Sequence, residues 1–184
     1  MPKQSAQAAR RERISTVPRA ELENLRIHYV RAGSGGPELL FIPGWCCDHT
    51  AFQPQFDHFS RTHTVTAIDP RGCGHSDAPS EGYGIRDFAD DLAEFCTVVG
   101  IEKPVLVGHS HGAMVAVEVG ARYPLLPSAL VLVDPGPIDP LPATVKFSLQ
   151  RRSSSRGRAA RTFGGCGSRT LARAMRRSRS GSST

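Results

Sequence analysis

The segment Val105-Leu106-Val107-Gly108-His109-Ser110-His111-Gly112-Ala113 constrains this chain more than any other. A β-rich apolar run enters Gly-x-Ser-x-Gly, and a run of small apolar residues of helical character leaves it. Strand, sharp turn and helix in immediate succession place the serine on a strained turn with its hydroxyl raised above the sheet. Gly108 and Gly112 flank it because a side chain at either position would collide with neighbouring backbone. The bare pentapeptide pattern arises often by chance. The strand before it and the helix after it make Ser110 a candidate nucleophile rather than the tip of an ordinary turn.

The surrounding chain alternates in the same way. Runs at 25–30, 39–42, 64–68, 105–107 and 130–133 are short, apolar and rich in β-branched residues. The last three are nearly continuous in apolar character, which suits strands covered on both faces. Ile85, Phe88, Leu92, Phe95, Cys96 and Val99 recur at helical spacing, with Asp87, Asp90, Asp91 and Glu94 on the polar side and Gly100 as the stop. The stretch 113–121 is apolar nearly all round apart from Glu118, so it predicts a buried helix ending before Pro124. Strands separated by helices predict an α/β fold, with a mostly parallel sheet and helices on both faces.

Three motifs together resemble the α/β-hydrolase fold family in its serine-nucleophile branch, over about residues 22–136. Beside the Gly108–Gly112 elbow, Phe41-Ile42-Pro43-Gly44-Trp45 resembles the loop after the family's third strand, with Pro43 where histidine is usual. Asp69-Pro70-Arg71-Gly72-Cys73-Gly74-His75-Ser76 resembles the family's Asp-x-Arg-Gly-x-Gly-x-Ser loop, in which Asp69 and Arg71 would tie the loop together. The resemblance implies an oxyanion hole made by the backbone N–H groups of Trp45 and His111. It also implies acyl transfer through an acyl-enzyme, because family members that open epoxides generally carry aspartate where Ser110 stands. Ester-like and activated carbonyl substrates fit that chemistry; Trp45 and Phe52 point to a small apolar one, with ordinary core or lid packing as the competing reading of both. Neither a cofactor nor a metal is expected.

The family triad runs serine, acid, histidine in chain order, and this chain does not complete it. All seven histidines (His28, His49, His58, His63, His75, His109 and His111) lie at or before the elbow. His109 and His111 flank the nucleophile at positions set by the turn, so structural or pocket-lining roles are expected of them. Asp134, after the run 129–133, is a candidate acid; the competing reading is a turn residue before Pro135. With the late histidine missing, the chain is expected to be impaired or inactive.

Charge divides the chain into three parts. Residues 1–20 carry five basic and one acidic side chain, residues 21–140 seven and sixteen, and residues 141–184 eleven basic and none acidic. This pattern, with the composition change after residue 150, predicts a basic extension (1–20), the N-terminal part of a hydrolase domain (21–150) and an Arg/Ser-rich disordered tail (151–184). The tail resembles out-of-frame reading of GC-rich DNA more than a selected segment, and a truncated or frameshifted domain leaves an open sheet edge that invites association. Two rivals stay open: an inactive scaffold binding RNA or another polyanion through the tail, and a cofactor-free peroxidase of the same fold. No apolar run is long enough to span a bilayer, and Arg10, Arg11 and Arg13 interrupt the only candidate signal sequence. Five cysteines without zinc-ligand spacing read as reduced thiols, which makes a cytoplasmic location the expectation.

Overall fold

Both pleats of the central strands are apolar, and in the computed structural model, which describes residues 18–136, each pleat meets its own layer of helix. The strands are β1 (Arg19–Glu21), β2 (Arg26–Ala32), β3 (Leu39–Ile42), β4 (Val65–Ile68), β5 (Val105–His109) and β6 (Ala129–Val133). The helices are α1 (Gln53–Phe59), α2 (Ile85–Val99) and α3 (His111–Arg122), with a 3-10 turn at His49–Phe52 ahead of α1. They form one sheet in the order β1-β2-β4-β3-β5-β6. β3 pairs in parallel with β4 and β5, and β5 with β6, whereas β1–β2 and β2–β4 are antiparallel.

Alternation assigns the faces. Leu40 and Ile42 of β3, Ile68 of β4 and Leu106 of β5 join Phe88, Leu92, Phe95, Val115 and Val119 under α2 and α3. Leu39, Phe41, Val65 and Ala67 join Phe52 on the other side, with Phe56, Phe59, Val105 and Val107 packed against them. Helices therefore cover both faces, as the apolar runs imply. α2 starts at Gly84, whose N–H donates to the Asp87 carboxylate at 2.8 Å. It ends at Gly100, which takes a left-handed φ of 72°.

The structure departs from the sequence reading in three places. β1 includes Arg19 and Ala20, from the stretch read as a basic extension, and at three residues it is too short to show a periodic pattern. The 3-10 turn and α1 were not foreseen, although Phe52, Phe56 and Phe59 carry the helical spacing that packs them onto the sheet. β6 was expected to be covered on both faces. Instead Leu130 and Leu132 pack inward while Val131 and Val133 stay 45% and 44% exposed, because no element among the described residues lies over that face. The tail 151–184, with the disorder, frameshift and polyanion readings attached to it, lies outside the described residues. Among those that are described, no helix is long and apolar enough to cross a membrane.

Candidate active site

Ser110 sits between β5 and α3 at φ 50°, ψ −114°, a left-handed conformation that a residue with a side chain adopts only under constraint. The constraint is backbone. The Ser110 N–H donates to the Val133 carbonyl at 2.9 Å, tying the turn to β6. A Cβ on Gly108 would lie 2.3 Å from the Gly112 carbonyl oxygen, and one on Gly112 would lie 2.1 Å from that of Ile42 and 2.5 Å from that of Pro43. The elbow thus rests directly on the chain leaving β3, which brings the Pro43-Gly44-Trp45 loop to the start of α3. The His111 amide is the first of that helix and so has no intrahelical carbonyl to bond.

Aromatic rings wall this region. The His111 ring meets Trp45 at 4.8 Å and Phe88 at 4.7 Å between centroids, both edge-on. Tyr83 lies 6.3 Å from Phe88, and Trp45 is 40% exposed at the rim. Burial holds the His111 pKa below the ordinary 6.5, because an imidazolium there would lose hydration. The unfolded chain therefore takes up this proton near pH 6.5 and the folded chain only at lower pH. The group's contribution to stability is complete above 6.5 and declines as the pH falls through the folded value. Thermal midpoints recorded between pH 7.5 and pH 5 should fall on acidification, with a shallower slope in His111→Gln. Equal slopes in the two proteins would assign the effect to another group.

The loop after β4 forms two separate ties. The Arg71 guanidinium pairs with both carboxylate oxygens of Asp91 on α2 and donates to the Gly82 carbonyl. Asp69, fully buried, accepts instead from His28 Nδ1 at 2.7 Å, His49 Nδ1 at 2.6 Å, and the amides of His49 and His75, each at 2.8 Å. Burial pushes its carboxyl up, but the hydrogen bonds outweigh burial and the net pKa lies below the ordinary value. His28, His49 and Asp69 are the group among the described residues whose donor atoms converge closely enough to hold a metal ion. Zinc would hold imidazole nitrogen and carboxylate oxygen roughly 3.3 Å apart given its bond lengths. The observed 2.6–2.7 Å is the separation of a shared proton.

The elbow and the Trp45 loop thus lie together as the motifs imply. Asp134 follows β6 directly, one strand over from Ser110, exposed and at φ 48°. Among the described residues neither it nor the Ser110 hydroxyl hydrogen-bonds an imidazole. His109 packs its ring against Gly44, where a Cβ would lie 3.1 Å from Nδ1. Sequence reading missed the shared carboxylate of Asp69 and the place of Phe88 and Tyr83 in the aromatic wall. A histidine inside an apolar strand, as His28 is, was the available signal for the first. Cys96 is a buried thiol pushed up to about 12 and plays no part in this site, and Cys166 lies outside the described residues.

The sequence model of the alpha/beta hydrolase fold matches residues 37–182. The chain is 38% identical over 105 residues to 2-(acetamidomethylene)succinate hydrolase of Mesorhizobium japonicum, covering 57% of this chain and 38% of that protein. It is 36% identical over 126 residues to epoxide hydrolase 3 of Mus musculus, covering 67% of this chain and 34% of that protein. Among solved structures, an N-acyl homoserine lactone degrading enzyme superposes with a TM-score of 0.62 at 28% identity, over 65% of this chain and 46% of the other. The chain spans less than half the length of each of these proteins.

Proposed function

Because this chain belongs to the α/β-hydrolase fold family, we propose that it is built for acyl transfer from ester-like or activated carbonyl substrates onto Ser110. The observation that carries this reading is the strained Ser110 held against the Pro43-Gly44-Trp45 loop, with Gly112 admitting the Ile42 carbonyl. In the proposed step Ser110 Oγ bonds to the substrate carbonyl carbon and gives its proton to a base. The carbonyl oxygen becomes an oxyanion received by the Trp45 and His111 amides. Collapse expels the alcohol or other leaving group with a proton, and water then releases the acid. Removing one such amide donor typically costs about 10²–10³ in rate.

The curated relatives include hydrolases of a substituted succinate and of epoxides. Serine rather than aspartate at position 110 favours the first chemistry, since aspartate is the usual nucleophile of family members that open epoxides. The exposed Trp45 beside Phe88 and His111 supports a small substrate with an apolar face. Asp134 is at the right strand end to orient a base, but this chain has no histidine after His111 to be that base. We therefore read residues 1–184, taken by themselves, as slow to acylate and slow to turn over.

Incubation with an activated p-nitrophenyl ester, followed by peptide mass spectrometry, should find the acyl group on Ser110 and none in Ser110→Ala. An adduct that persists in Ser110→Ala would locate the reactive group elsewhere and remove the nucleophile assignment.

A further inference from the structure

Resting on the reading of the Trp45 amide as an oxyanion donor, we propose that Asp69 is a positioning residue, which through His49 fixes the loop carrying that amide. Loop 43–48 leaves β3 and has to turn within a few residues. Cys46 stands at φ 57° in it, a left-handed conformation that a side chain keeps only where the surroundings over-determine it. One end of the loop is secured where the Ile42 and Pro43 carbonyls pack on Gly112. The other end reaches His49, and there both the amide and ring Nδ1 donate to one oxygen of Asp69, at 2.8 and 2.6 Å.

That carboxylate is immobile for reasons outside the loop. Its second oxygen accepts from His28 Nδ1 of β2 and from the His75 amide, and Asp69 itself directly follows β4, where its N–H donates to the His28 carbonyl at 2.9 Å. A Cβ on Gly74 would stand 2.1 Å from that oxygen, so glycine is what lets the His75 amide approach. At this end the loop is hung from the rigid sheet through His49, four positions beyond Trp45. Without the tie, the turn closed by the Cys47 N–H on the Gly44 carbonyl loses its anchor on the sheet, and the Trp45 amide shifts with it. Asp69 touches no reacting atom; it acts by holding the donor still, and misplacement of such a group by about 1 Å can cost up to 10²-fold in rate.

Trp45 is the sole tryptophan of the chain, so its fluorescence reports on this loop alone. His49→Leu removes the ring donor. His49→Asn restores a donor on the atom bonded to Cγ, where Nδ1 stood. In the full chain, His49→Leu should red-shift Trp45 emission, raise its acrylamide quenching and slow fluorophosphonate labelling of Ser110 roughly tenfold. His49→Asn should return all three towards wild type. If His49→Leu does not fold, His49→Gln serves, since its amide nitrogen lies one atom too far out and the same losses are expected. Labelling that falls with Trp45 emission unmoved, or losses that asparagine fails to recover, would overturn the proposal. Absence of labelling in the wild-type chain, with the emission shift and its recovery intact, would refute the nucleophile reading and leave the anchor standing.

Discussion

Gly112→Ala is expected to cost about 3 kcal/mol, the upper end of what overpacking a closed site takes. The added methyl would lie 2.1 Å from the Ile42 carbonyl oxygen and 2.5 Å from that of Pro43. Neither can step aside. Ile42 is paired with Gly108 in the parallel β3–β5 ladder, and β3 is held on its other side by β4. Relief has to come from α3 moving outward, which drags His111 from between Trp45 and Phe88 and disturbs the elbow. Gly100→Ala is the matched control, because it meets nothing within 4 Å and carries only the penalty of a left-handed φ, about 1 kcal/mol. Urea midpoints of the two variants should separate clearly. If Gly112→Ala proves no worse than Gly100→Ala, the close approach of elbow and loop is not what the glycine is for.

The same contact marks how far the sequence could be read. The strands around the elbow are legible because each is a short apolar run bounded by glycine, proline or charge, and β3 is buried at all four of its positions. The elbow and the loop after β3 are legible as motifs because their chemistry depends on backbone shape, which glycine and proline spacing records. Pairings between side chains distant in sequence left no such trace. Arg71 was read as a tie within its own loop, yet its partner is Asp91 on α2, a residue that periodicity places simply on the helix's polar side. His28 and Asp69 are 41 positions apart and meet because the antiparallel register sets Tyr29 opposite Ile68. That register is decided by which face of β2 is buried, not by any local pattern. β6 shows the opposite limit, since its uniform apolar run says nothing about which face finds a covering helix.

On the proposed reading of Ser110 as the nucleophile, imidazole added to the buffer is expected to accelerate its acylation, because among the described residues no imidazole is hydrogen-bonded to its hydroxyl. The His111 ring is wedged between Trp45 and Phe88, and that of His109 lies against Gly44. Loss of a triad member of this kind leaves only the residual catalysis of the oxyanion hole and of binding, roughly 10³–10⁴ over water. A diffusing base restores a small part of the rest, since a positioned group acts at an effective concentration of about 10⁵ M or more. Labelling by a fluorophosphonate probe should therefore be slow in buffer and rise in proportion to free imidazole without saturating. It should vanish in Ser110→Ala at every concentration. Fast labelling in buffer that is abolished in His109→Gln or His111→Gln would identify a flanking ring as the base and overturn the account. A rate that ignores imidazole and persists in Ser110→Ala would remove the hydrolase chemistry itself and leave the fold as a scaffold. A linear response carried by Ser110 alone separates the two, because only an intact elbow and oxyanion loop lacking their histidine produce it.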